Sequence, residues 1–224
     1  MTQKKVLFIF TSCDKTLKGG QTGWYLPEAA HPYNVLSPHY DLTFASPKGS
    51  NPPVDEGSVK MFQDDAGFLS DPVVIEKLKN AKKLSEVKAA DYDAIFYVGG
   101  HGPVIDLPVD ADNAKLASEF YQAGKITAAV CHGPAALVQA VDASGKSIFA
   151  GKRFTGFSNV EEEQVKMVDA IPFSLEDKIS GLGGKYEKAA EPWGVHVVVD
   201  GHLVTGQNPA SAKSIAEKIA ELLK

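Results

Sequence analysis

The run Ala128-Ala129-Val130-Cys131-His132-Gly133-Pro134-Ala135-Ala136-Leu137 constrains this chain more than any other stretch. An apolar, strand-like segment stops at a cysteine, and a histidine, a glycine and an Ala-rich helical pattern follow at once. That is the layout of a nucleophile elbow, a tight strand-to-helix turn that lifts one reactive side chain above a sheet. Positions two before and two after the nucleophile must be small, and here they are Ala129 and Gly133. A thiol at such a helix start is expected to be biased toward thiolate by unpaired N–H groups and the positive dipole end. Cys131 is the candidate nucleophile.

Strands and helices alternate through the rest of the chain. Buried-strand signals recur at residues 5–11, 41–45, 94–98, 126–130 and 195–199,. Residues 71–83 open with Asp71-Pro72, an N-cap and N1 pair, and set Val74, Ile75, Leu78 and Ala81 toward one helical face,. Residues 110–123 carry Ala114, Leu116, Ala117, Phe120 and Tyr121 and end at Gly124, and residues 210–223 repeat the pattern,. This order predicts a mostly parallel sheet covered on both faces. Asp200-Gly201, between strand signals at 195–199 and 202–205, predicts a hairpin and an antiparallel excursion late in the chain,. No repeat or linker divides the sequence, so a single domain over residues 1–224 is expected.

Composition narrows the function classes. A net charge of −5 without a basic tract argues against nucleic acid as a partner,. No apolar run approaches the roughly 20 residues of a membrane span, so no membrane partner is expected. Residues 1–11 lack the cleavage site of a signal peptide, and two cysteines in 224 residues do not make a disulfide framework,. A cytoplasmic location is the expectation. Cys13, in a polar Thr-Ser-Cys-Asp run, reads as an ordinary thiol.

In open α/β sheets, ligands bind beyond the carboxyl ends of the strands, and the chemistry-bearing residues converge there. Gly99-Gly100-His101-Gly102 follows a strand signal, and its glycines would let the N–H of Gly100 pair with that of His132 as an oxyanion hole,. The spacing is not a dinucleotide fingerprint. Glu28, among Leu26, Ala29 and Ala30, reads either as a partly buried acid/base or as a solvated first-turn glutamate,. One of Glu161, Glu162 and Glu163 could orient His132 through its ring N–H, and spacing does not choose among them,. His31, His101, His196 and His202 show no metal-ligand spacing, so no metal is expected,.

Ala-Val-Cys-His-Gly-Pro at 129–134, Val-Gly-Gly-His-Gly at 98–102 and Gly-Trp-Tyr-Leu-Pro-Glu at 23–28 resemble the ThiJ/PfpI superfamily. With Thr-Gly-Phe-Ser-Asn-Val-Glu-Glu at 155–162 and Val-Thr-Gly-Gln-Asn-Pro-Ala-Ser at 204–211, the chain is similar to its glutathione-independent glyoxalase (glyoxalase III) branch. That branch overlaps with a group described as heat-shock holding chaperones. The resemblance implies a flavodoxin-like, three-layer α/β/α sandwich with an added β-hairpin, usually a homodimer. It implies Cys131 as nucleophile, His132 as its catalytic partner, Glu28 as the acid bonded to the sulfur and Glu162 as the third triad member. Gly100 and His132 would supply the oxyanion donors. The implied activity converts a small α-oxoaldehyde such as methylglyoxal, with water, to D-lactate through a cysteine hemithioacetal. This is a D-lactate dehydratase, a carbon–oxygen lyase, that needs neither cofactor nor metal. Rival readings are a stress-responsive chaperone for unfolded client proteins, a redox sensor, and a cysteine peptidase or amidase.

Overall fold

The most apolar strand signal, near the start of the chain, lies inside the sheet with partners on both sides. The computed structural model describes residues 3–224; residues 1 and 2 of the expected domain lie outside the described residues. Among the described residues, nine strands occur: β1 (Lys5–Ile9), β2 (Asp41–Ser46), β3 (Lys82–Lys83), β4 (Ala94–Tyr97), β5 (Ile126–Val130), β6 (Arg153–Phe154), β7 (Lys185–Tyr186), β8 (Val197–Asp200) and β9 (Leu203–Gly206). Seven of them form one sheet in the order β3-β2-β1-β4-β5-β9-β8, and β6 and β7 pair separately. Every pair in the large sheet is parallel except β8 with β9. The helix Leu26–Leu36 packs against the helix Ala212–Leu222, and Ala111–Gln122 packs on β4 and β5. This is the flavodoxin-like α/β fold.

Continuous apolar character puts β1 in the interior: Val6, Leu7, Phe8 and Ile9 are all inaccessible to solvent. Phe8 meets the ring of Phe44 on one side (5.7 Å) and of Phe96 on the other (5.0 Å), tying β1 to both neighbours. Phe8→Ala is expected to lower the unfolding free energy by about 3–5 kcal/mol through lost burial and a residual cavity. Denaturant titration checks this; a loss below about 1 kcal/mol would mean that the site collapses around the smaller side chain.

Several elements differ from the sequence reading. The helix expected over 71–83 spans only Pro72–Lys79, capped by Asp71, whose side chain accepts the N–H of Val73. Val74 is fully buried, whereas Ile75, about 100° further round the helix, is 48% exposed. Residues 82 and 83 leave the helix to extend the sheet as β3 beside β2. The late hairpin turns at Gly201 as expected, but β9 also inserts parallel to β5, which makes it an interior strand rather than a flap. The short β6–β7 pair had no recognised signal.

The largest departure follows β5. The Ala-rich segment after the elbow is a five-residue 3₁₀ turn, Gly133–Leu137, not an extended α-helix. Asn113 Nδ2 takes the carbonyl of Ala136 at 2.7 Å, an acceptor that a continuing helix would need. Chain order reverses between β1 and β4, because β2 and β3 lie on one side and β4, β5, β9 and β8 on the other. A crevice is expected at such a switch point, above the carboxyl ends of the strands. Among the described residues, no helix is long and apolar enough to cross a membrane.

Candidate active site

The elbow is built from backbone upward. Cys131 has φ of +59°, a left-handed conformation that costs a residue with a Cβ about 1–3 kcal/mol,. Two hydrogen bonds hold it there. Its N–H donates to Gly206 O at the end of β9, and its carbonyl accepts the N–H of Phe157, both at 2.9 Å. The requirement for a small residue two positions on is literal: a Cβ on Gly133 would fall 2.7 Å from Tyr97 O.

The side chain of Cys131 meets that of its neighbour. Sγ lies 3.4 Å from His132 Nδ1, and His132 Nε2 lies 2.5 Å from Glu162 Oε2. Of the three adjacent glutamates, Glu162 is therefore the one against the histidine. Burial alone would raise the Glu162 carboxyl, but the charge of His132 and a hydrogen bond from His101 outweigh it and hold the group well below the usual carboxylate range. An ionised Glu162 accepts the proton at His132 Nε2 and leaves the Nδ1 lone pair facing the sulfur. Burial lowers the pKa of His132 despite the opposing charge of Glu162, so the neutral base is the favoured form.

Glu161 has a different task. Its Oε2 accepts from Ser158 N–H and Oγ in a capping box, while Oε1 accepts from Trp193 N–H, Gln207 Nε2 and Asn208 Nδ2. It braces three loops. Glu163 lies on the exposed side of the helix.

Glu28 is fully buried, one turn into the helix Leu26–Leu36, which settles its two sequence readings in favour of burial. Its carboxyl faces the Cys131 sulfur and the Gly99 N–H, and neither oxygen closes a well-aligned hydrogen bond. Burial pushes its pKa well above the ordinary 4.5, against weaker opposition from those two neighbours. Burial therefore favours the protonated form of the carboxyl. Burial also pushes the thiol of Cys131 up, against the N–H of Gly100. The turn that follows is one short 3₁₀ segment rather than the helix start that the sequence reading invokes for a thiolate, and the sulfur itself forms part of the pocket wall beside His132.

Gly100 has φ of +104°, and a Cβ there would lie 2.4 Å from Gly23 O. Its N–H points at the Cys131 sulfur. Among the described residues, the N–H groups of Gly100 and His132 make no backbone–backbone hydrogen bond. Gly100→Ala is expected to cost roughly 2–5 kcal/mol from left-handed strain plus overpacking. A thermal melt of the variant checks this.

These groups meet in a small pocket whose walls also include Tyr25, His101, Phe157, Val165 and Trp193. The sequence reading passed over His101, Phe157 and Trp193 as site residues. His101, weighed in the sequence only for metal-ligand spacing, has its Nε2 2.7 Å from Glu162 Oε1 and its ring 4.3 Å from that of His132. His101, His132 and Glu162 bring ligand atoms within 4.8 Å of one another, a set that could hold a metal ion. Spacing along the chain could not reveal it, because the three residues come from three separate segments: the turns after β4 and β5 and the helix Asn159–Gln164. Cys13 is not a wall of this pocket; its Sγ donates to Lys15 O at 3.1 Å in the loop after β1.

Fold and pocket together define an α/β protein with a buried cysteine–histidine–glutamate line at a strand-order reversal. The chain belongs to the DJ-1/PfpI family, whose model matches residues 27–222. It is 36% identical to the glutathione-independent glyoxalase HSP31 of Saccharomyces cerevisiae, over 100% of both chains. Its structure is similar to that of glyoxalase III from Candida albicans, with a TM-score of 0.86 and 31% identity over 97% of this chain and 96% of the other. It is also similar to Rapid Encystment Protein 24 kDa of Francisella tularensis, with a TM-score of 0.92 and 36% identity over 99% of each.

Proposed function

We propose that the protein is a glutathione-independent glyoxalase that converts methylglyoxal and water to D-lactate. The observation that carries this reading is the small pocket in which Cys131 meets a base, His132, and a fully buried carboxyl, Glu28. An aldehyde of a few heavy atoms fits such a space. Close relatives named as glyoxalases across the whole chain support the substrate class.

In this reading His132 Nδ1 takes the thiol proton as Sγ adds to the aldehyde carbon, forming the C–S bond of a hemithioacetal. The N–H groups of Gly100 and His132 stabilise the oxyanion until it is protonated. The C–H proton of the former aldehyde carbon then leaves, and a proton returns to the neighbouring carbon. The attacked carbon becomes the carbonyl of a thioester. Water cleaves the C–S bond, releasing D-lactate and the thiol. His132 and Glu28 are the proton carriers, and Glu162 fixes the tautomer of His132. The sum is one water added with no net redox change.

The same reading includes one domain over residues 1–224, a homodimer and a cytoplasmic setting, supported by the family resemblance and the two free cysteines. To test it, purified protein is given methylglyoxal with no added thiol or metal. D-lactate should form at a rate that glutathione does not raise. A protein active only when glutathione is present would overturn the proposal.

A further inference from the structure

The rim of the pocket holds an aromatic side chain that the proposed chemistry does not use. Trp193 lies in the segment between β7 and β8, 40% exposed, with φ of +66°. A bulky residue adopts that conformation only when its surroundings impose it. Here three contacts do so. Glu161 Oε1 accepts its backbone N–H at 2.8 Å, Gln164 Oε1 accepts its indole N–H at 2.6 Å, and its ring meets that of Phe157 edge-on at 5.5 Å. Phe157 in turn lies 4.5 Å, centroid to centroid, from His132. The helix Asn159–Gln164 thus positions both the carboxylate behind His132 and the two acceptors that hold Trp193 over the pocket.

We propose that Trp193 determines specificity: it forms a fixed outer wall that admits α-oxoaldehydes with a small apolar substituent and turns away bulky aryl ones. The walls beside it, Tyr25, Phe157 and Val165, are mainly apolar, so they favour a methyl group over a charged or hydroxylated one,. The backbone bond to Glu161 fixes where the side chain starts, and the indole cannot swing aside without losing its bond to Gln164 and its contact with Phe157; this makes the exclusion one of size. The substrate class named here rests on the glyoxalase reading; the exclusion by size does not.

The test therefore measures access to Cys131 directly. In a Cys13→Ser background, wild type, Trp193→Ala and Trp193→Leu are alkylated with iodoacetamide and with N-benzyliodoacetamide. Labelling of the Cys131 peptide is followed by mass spectrometry. Removing the wall should raise the rate with the benzyl reagent about tenfold while the small reagent changes less than about twofold, the scale on which pocket fit discriminates. Equal acceleration of both reagents in either variant, or no change in their ratio, overturns the proposal. As a companion measurement, kcat/KM for phenylglyoxal relative to methylglyoxal should rise about tenfold in Trp193→Ala. If wild type turns over neither aldehyde while the alkylation ratio still shifts, the glyoxalase reading fails and the size-selective wall stands.

Discussion

Glu162→Gln is expected to lower turnover roughly 10²–10⁴-fold, the range over which a positioned acid–base partner contributes, while Glu163→Gln leaves it nearly unchanged. The reason is the proton inventory between the two histidines. Glu162 offers only acceptors, Oε1 to His101 and Oε2 to His132, so both imidazoles carry their proton at Nε2,. A glutamine must turn an NH₂ group toward one of them. If it faces His132, that ring is forced into the Nδ1–H tautomer, and the nitrogen beside the sulfur can no longer accept a proton. If it faces His101, that ring must flip its tautomer or lose its bond to residue 162. Glu163, on the exposed side of the same helix, offers a matched control. Steady-state kinetics of both variants decides the matter, and a collapse with Glu163→Gln alone would show that the wrong glutamate has been assigned.

The second large effect concerns Glu28 and the pH dependence of stability. Because the folded-state pKa of Glu28 is raised above 4.5, the folded protein retains a proton that the unfolded chain releases. The resulting stabilisation is fully present below pH 4.5 and declines by about 1.4 kcal/mol per pH unit until the folded pKa is passed. Above that point it is gone, since the carboxylate must then ionise in a fully buried site. Glu28→Gln removes the decline, so the variant gains on wild type as pH rises. Other groups move stability too. Glu162, with its pKa depressed, loses its contribution as pH falls below 4.5, and His132, with its pKa lowered, opposes the Glu28 slope below 6.5. The difference between wild type and Glu28→Gln isolates one residue. Urea unfolding of both proteins from pH 5 to pH 9 measures it, and parallel curves would show that Glu28 is not held protonated. Loss of turnover should accompany the change, because a glutamine cannot supply an exchangeable acid beside the sulfur.

How much of this site could be read from the chain depended on whether its parts were local in sequence. The elbow was legible because its signals are contiguous: a strand, a cysteine, and small residues at 129 and 133 that steric crowding demands. Glu28 was only half legible. Its apolar neighbours indicated burial, but the complete burial that raises its pKa comes from packing against residues distant in sequence, Cys131 about a hundred positions away among them. The choice among Glu161, Glu162 and Glu163 was not legible from spacing, since three successive helical positions point in directions about 100° apart; only the family resemblance pointed to Glu162, the one that the packed helix sets against His132. Distance in sequence hid the remainder. His101, Phe157 and Trp193 lie on different loops, and their meeting at one pocket depends on the parallel insertion of β9 beside β5. The mistaken helix after Cys131 has a similar origin: Asn113, distant in sequence, takes the carbonyl that the helix would have used.

The covalent role of Cys131 is tested most directly by comparing wild type with Cys131→Ala in methylglyoxal, without thiol or metal, with D-lactate as the readout and circular dichroism confirming the fold. Turnover by the wild type and only background formation by the variant is the expected result. A folded Cys131→Ala protein that still makes D-lactate at an appreciable fraction of the wild-type rate would contradict it, because no hemithioacetal could then lie on the path.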